Sequence, residues 1–226
     1  MSLSSDPAPF DIFQWLPEAA RIEFNATARR RRCVRGELIY SQGEPGSEMF
    51  RLVSGAVRLS VTRSDGRELL YLLFEPGDCF GVSTLIDGDA RPHTAEAGKN
   101  LELQVLGRTA FNRLRVDYRE FDDALLRLVT RHMRLLSGFV SDSNLQDISA
   151  RVASRIVAAA RSFGKPGEAG IELAISLSQA ELGLMVGGAR QTVNRVLRKF
   201  QREGLLSVRN GRLVIHSLEG LRERAS

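Results

Sequence analysis

The sequence predicts an α+β chain in three parts: an N-terminal antiparallel β-roll, one long helix, and a C-terminal helix-turn-helix followed by a two-stranded wing. Three observations predict it. Gly-bearing turn pairs recur through the first half of the chain, between segments of alternating apolar and polar residues. Apolar residues then repeat at three- and four-residue steps from Glu120 to Asp142. From Ser178 to Val214 the pattern breaks into two short amphipathic helices and two strands around Asn210-Gly211.

At 226 residues there is room for two modest domains, each with its own core. The expected boundaries are 10–116 for the roll, 117–144 for the long helix and 145–219 for the winged helix-turn-helix. An apolar content of 43% and a charged content of 26% are those of a globular protein, and no apolar run reaches membrane-spanning length. Met1 to Pro9 reads as a polar tail and no secretory signal is visible, so a cytoplasmic location without a membrane partner is expected.

In the first part Val57, Leu59 and Val61 alternate with Arg58, Ser60 and Thr62, and Leu101, Leu103 and Val105 alternate with Glu102 and Gln104. Arg35-Gly36, Gln42-Gly43, Ser54-Gly55, Asp65-Gly66, Pro76-Gly77 and Asp87-Gly88 punctuate these strands, as in a compact antiparallel roll. Arg29 to Arg32 fits a solvated strand edge, where charge guards against unwanted pairing. Cys33 and Cys79 form no CxxC and lie beside no histidine pair, so no disulfide framework or metal site is indicated.

Along the long helix Phe121, Leu125, Leu128, His132, Leu135 or Leu136, and Phe139 form one stripe. It has two uses: packing on its own roll, or pairing with a second copy through Leu125, Leu128, His132, Leu135 and Phe139 as knobs. The second is favoured, because a single helix-turn-helix commonly pairs with a twin across a palindromic site. A further amphipathic helix spans Ile148 to Ala160, and Phe163-Gly164-Lys165-Pro166-Gly167 reads as an exposed loop.

Ser178, with Glu181 three residues later, matches a capping box that starts a helix. Leu182, Met185 and Val186 give it one buried stripe, and Gly187-Gly188 ends it. In the next helix Val193, Val196, Leu197 and Phe200 share the inward face, leaving Arg190, Gln191, Asn194, Arg195 and Arg198 outward, where they suit base edges and phosphates. From Asp147 onward there are 13 basic and 7 acidic residues, leaving 19 against 20 for the first 146, so the net charge of +5 belongs to the segment with the helix pair. Double-stranded DNA is therefore the expected partner.

The order of parts, with Val186-Gly187-x-x-Arg190-x-Thr192-Val193-x-Arg195, resembles the Crp/Fnr family of regulators. Gln42-Gly43-Glu44-Pro45-Gly46, Val53-Ser54-Gly55-Ala56-Val57 and Phe74-Glu75-Pro76-Gly77-Asp78-Cys79-Phe80-Gly81 resemble the same family's cyclic-nucleotide-binding-type roll. The resemblance implies a homodimeric, sequence-specific transcription regulator that is not an enzyme, with RNA polymerase as a protein partner and a small-molecule effector as an open one. It makes Arg190, Gln191, Asn194 and Arg195 base and phosphate readers, with Ser178 and Gln179 holding backbone phosphate. Gln191 stands where the family usually has glutamate, so the half-site should differ at that base. Ala189 is a poor N-cap.

The resemblance places an effector pocket at Gly81, Val82, Ser83, Arg91, Pro92, His93, Leu136 and Ser137. Val82 stands where a cyclic-AMP-binding member has a ribose-accepting glutamate, and Arg91-Pro92 replaces an Arg-Ser pair, so cyclic AMP is not the expected effector. The cysteine cluster of the iron-sulfur branch is absent. Haem through His93 or Cys79 is the weaker cofactor alternative, His93 being expected in an exposed loop. Two other functions stay open: an effector-independent regulator with a vestigial pocket, and a cupin-like ligand-binding enzyme, for which three scattered histidines supply no convergent cluster.

Overall fold

The computed structural model describes residues 7–209 and 212–225. The chain divides into two compact units, one of Pro7–Arg67 with Leu72–Leu136, the other of Glu68–Tyr71 with the chain from Ser137 onward.

The first unit opens with a 3-10 turn at Ile12–Trp15 and helix α1 (Glu18–Thr27). Strands β1 (Arg29–Cys33), β2 (Leu38–Tyr40), β3 (Glu48–Ser54), β4 (Val57–Thr62), β5 (Glu68–Phe74) and β6 (Cys79–Phe80) follow, then the short helix α2 (Ser83–Ile86), β7 (Thr94–Ala97) and β8 (Leu101–Gly107). They form two four-stranded antiparallel sheets, ordered β1-β8-β3-β6 and β2-β7-β4-β5. Alternation explains the inward faces: Leu52, Leu103 and Val105 are buried, while Arg51 and Glu102 lie opposite. Phe80 stacks between Phe50 and Phe74 at 5.2 and 5.1 Å. Gly55, at φ 97°, also admits the Asn100–Leu101 backbone so closely that a Cβ would meet it at 2.6 Å. β1 is an edge strand, and its arginines are paired: Arg29 with Glu48, Arg30 and Arg32 with Glu102, Arg31 with Glu37.

Helices α3 (Arg108–Asp117) and α4 (Arg119–Leu145) complete this part of the chain. The structure moves the free seam of α4 by one residue from the stripe expected above. Leu125 and Leu128 are 3% and 0% exposed within their own chain, so they are not available as knobs for a second copy. His132 stacks on Phe10 at 4.3 Å and lies edge-on to Phe74, and Phe139 carries the Arg155 guanidinium at 3.6 Å. Leu135 is half-buried. The exposed apolar positions of α4 are Leu126, Val129, Met133, Leu136 and Val140, with Leu145 at its last residue.

After α4 come α5 (Ile148–Phe163), β9 (Gly164–Gly167), β10 (Gly170–Leu173), α6 (Gln179–Val186), α7 (Arg190–Arg202), β11 (Leu206–Arg209), β12 (Arg212–Ile215) and α8 (Leu218–Arg224). The expected loop at Phe163–Gly167 is instead the last turn of α5 and an edge strand: β9 pairs with β10 through Gly164↔Leu173 to Gly167↔Gly170, in the sheet β11-β12-β10-β9. Pro166 is tolerated there because β9 has a partner on one side only. The wing strands β11 and β12 pair from Leu206↔Ile215 to Arg209↔Arg212. The Asn210-Gly211 turn between them, and Met1 to Asp6 of the expected tail, lie outside the described residues.

Candidate nucleic-acid interface

Ser178 is the N-cap of α6: its Oγ accepts from the Glu181 N–H at 3.2 Å, and a Glu181 carboxylate oxygen accepts from the Ser178 N–H at 2.6 Å. The two bonds fix the entry of α6, whose buried Leu182, Met185 and Val186 seat it. Gly187 closes the helix at φ 64°. Two further glycines make the turn compact, Gly188, expected as part of the helix end, and Gly183, which was not singled out from the sequence. A Cβ on Gly183 would meet the Gly188 carbonyl oxygen at 2.8 Å, and one on Gly188 would meet Ile148 at 2.4 Å. A glycine inside the apolar Leu182–Leu184 run was the available sign.

Helix α7 buries Val193, Val196, Leu197 and Phe200 and leaves Arg190, Gln191, Arg195 and Arg198 exposed. No side chain caps its first turn, as the alanine at position 189 foreshadows. Among the described residues none of those four exposed side chains makes a hydrogen bond or ion pair, so their donors are free for an external acceptor. Asn194 differs: it is half-buried and donates from Nδ2 to Gln179 Oε1 at 2.8 Å. A concavity of about 350 Å³ opens beside this pair, lined by Ser178, Gln179, Ala180, Arg190 and Val208 over an apolar floor.

The roll residues expected around an effector are arranged differently. Arg91 is 4% exposed, donates from Nη1 to the Gly81 carbonyl at 2.6 Å and from Nη2 to the Glu48 carbonyl at 2.7 Å, and lies 4.4 Å from the Tyr40 ring. Two of its five N–H donors, one on each terminal nitrogen, are engaged by main-chain carbonyls, and burial pulls its basicity down. A Cβ on Gly46 would meet Arg91 Nε at 2.5 Å, so glycine at 46 makes room for the arginine. Val82 is buried, Ser83 begins α2, and Pro92 is exposed. His93 is half-buried rather than exposed, and burial pushes its pKa down to about 4. Leu136 and Ser137 are exposed on α4. Cys79 is fully buried, its Sγ directed at the Gly77 carbonyl, and burial raises its thiol well above the ordinary value, which does not suit a thiolate ligand. Among the described residues no three His, Cys, Asp or Glu side chains cluster for a metal, and no helix is long and apolar enough to cross a membrane.

An antiparallel roll, a long helix and a winged helix-turn-helix with an unengaged basic face define a DNA-binding transcription regulator with a cyclic-nucleotide-binding-type domain. Residues 30–118 match the cyclic nucleotide-binding domain and residues 150–224 the Crp-like helix-turn-helix domain. The chain belongs to the Crp/Fnr family. It is similar to a CRP-like cAMP-activated global transcriptional regulator of Mycobacterium tuberculosis, 29% identical over 84% of this chain and 85% of the relative. It is also similar to the solved structure of TTHB099, a CRP-family transcriptional regulator from Thermus thermophilus, with a TM-score of 0.70 and 28% identity over 86% of this chain and 96% of that one. The structure of FixK2 from Bradyrhizobium japonicum shares the fold, with a TM-score of 0.78 at 22% identity over 88% and 98% of the two chains.

Proposed function

We propose that two copies of this chain pair through α4 and bind a palindromic DNA site as a cytoplasmic homodimer, regulating transcription in concert with RNA polymerase. One observation carries the dimer: Leu126, Val129, Met133, Leu136 and Val140 are 67%, 37%, 63%, 47% and 64% exposed, and they follow one another at alternating three- and four-residue steps. That is the a/d spacing of a two-stranded coiled coil, and a stripe of this kind gains free energy only when a second apolar surface covers it. The DNA reading is supported by the unengaged Arg190, Gln191, Arg195 and Arg198 on α7.

The roll does not fit a cyclic nucleotide. Val82 offers no acceptor for a ribose hydroxyl, Pro92 offers no hydroxyl or N–H, and the Arg91 fork is closed onto two carbonyls. An effector of another class therefore biases the regulator, through unequal affinity for its two states. The same Arg91 closure favours a second reading, in which the pocket is vestigial and DNA is bound without any effector.

The test is binding to a duplex drawn from DNA upstream of the chain's own gene, against a scrambled duplex, at physiological salt, with and without cyclic AMP. Tighter binding to the specific duplex, unchanged by cyclic AMP, is expected. Equal binding to both duplexes contradicts the regulator, and tightening by cyclic AMP contradicts the pocket assignment. Native mass measurement of protein from its own cell separates the two effector readings, since a retained small molecule excludes the vestigial pocket.

A further inference from the structure

We propose that Asn194 reads an adenine and that Gln179 holds it in register while donating to the DNA backbone, so that one base and one phosphate are recognised as a unit. This deepens, and rests on, the assignment of α7 as the DNA-reading helix.

The hydrogen bond from Asn194 Nδ2 to Gln179 Oε1, 2.8 Å long, joins the two helices of the motif. Gln179 is the first residue of α6, and its backbone is fixed by the Ser178–Glu181 capping box. Asn194 lies one turn beyond Arg190 and Gln191 on α7. Both amides are half-buried.

A carboxamide carries two N–H donors and one carbonyl acceptor. Asn194 spends one N–H on Gln179 and keeps the other together with Oδ1. One donor beside one acceptor is the pattern that matches N7 and N6 of adenine in the major groove. Gln179 turns its oxygen toward Asn194 and keeps both N–H donors, which suit a phosphate oxygen. Its place at the start of α6, where the helix dipole favours negative charge, and beside the concavity shared with Ser178 and Arg190, suits those donors to an anion there. With Gln179 Oε1 facing Asn194, turning Asn194 over by itself would set its oxygen against that acceptor, so the two amides are oriented as a pair. The adenine preference is thus built before DNA arrives, and Asn194 is distinct in role from the neighbouring Gln191, whose amide has no partner among the described residues.

The experiment enriches duplexes from a random pool with the wild-type chain and with Asn194→Ala, Asn194→Asp, Gln179→Ala and Gln179→Glu, after melting curves have established which variants fold as the wild type does. The wild type should enrich an A·T pair at one position of each half-site, and Asn194→Ala should lower that preference by about tenfold or more. Asn194→Asp, nearly isosteric, should move it toward cytosine, whose N4 amino group a carboxylate accepts. Gln179→Ala should lose the adenine preference and weaken every sequence. Gln179→Glu, which keeps an acceptor for Asn194 but loses the donors, should keep the preference and still weaken every sequence. Enrichment by the wild type that neither Asn194 variant alters would overturn this inference alone, as would an adenine preference that survives Gln179→Ala. No enrichment by the wild type would overturn the regulator reading and this inference with it.

Discussion

Met133→Glu should convert a dimer into monomers without unfolding either. Met133 sits at the middle of the exposed series on α4 and is 63% exposed. Full burial of such a side chain is worth about 1.5–3 kcal/mol, so covering the exposed part recovers about 1–2 kcal/mol in each copy. In a parallel pair the two Met133 side chains meet, so the substitution forfeits both contributions and sets two carboxylates against each other. The two lost contributions weaken the dimer by about 2–4 kcal/mol, about thirtyfold to a thousandfold in Kd, and the repulsion adds to that. Leu128→Ala provides the contrast. Leu128 is fully buried within its own chain, so its loss should cost about 2–5 kcal/mol of folding stability and leave the dimer constant of the folded protein near its wild-type value. Sedimentation velocity across a concentration series, paired with thermal melts, reads both quantities. A Met133→Glu protein that sediments as the wild type does, or a Leu128→Ala protein that dissociates while melting normally, would refute the placement of the seam.

Three further outcomes are expected. Gly46→Ala drives a Cβ to within 2.5 Å of Arg91 Nε and Thr84 Oγ1, and should destabilise the roll by about 1–3 kcal/mol in thermal melts; an unchanged melting temperature would mean that Arg91 is not clasped as described. Burial holds the pKa of both His132 and His93 down to about 4, so the unfolded chain takes up protons from about pH 6.5 downward that the folded chain refuses. Stability should accordingly be full above that pH and fall through the window to about 4, by about 1.4 kcal/mol per pH unit for each histidine, and His132→Leu should remove its share of the slope measured by urea unfolding. Gln191→Glu should change the preferred base at one half-site position, whereas Arg198→Ala should weaken all sequences alike and flatten the salt dependence; uniform losses from both in anisotropy titrations would contradict their separate roles.

The helix-turn-helix was legible almost residue by residue, because its determinants are local. A capping box, an αL glycine and an i, i+3, i+4, i+7 stripe each depend on neighbours in sequence, and all three stand where Ser178, Gly187 and Val193 to Phe200 placed them. The face of α4 was not legible for a different reason. Residues 125, 128, 132, 135, 139 and residues 126, 129, 133, 136, 140 both run at three- and four-residue steps, so two adjacent faces are apolar and periodicity cannot say which one the roll covers. Strand β9 was missed because Gly164-Lys165-Pro166-Gly167 carries turn residues only, and its pairing comes from the exposed edge of β10. The engagement of Arg91, which the resemblance placed in an effector pocket, was not legible because its partners are carbonyls of Gly81 and Glu48, which any residue would supply and no side-chain pattern reveals. Likewise the bond between Gln179 and Asn194 needs the two helices in place before it exists.

The central claim, a dimer that reads two inverted half-sites, is tested most directly by changing the spacing between them. In a duplex enriched by the protein, inserting five base pairs at the centre turns one half-site about half a helical turn away from the other. Two α7 helices joined through α4 cannot follow that rotation, so affinity should fall at least a hundredfold, toward that of random DNA, with the bound species at wild-type spacing containing two protein chains. Affinity unchanged by the insertion, or a single chain on the wild-type site, would contradict the account.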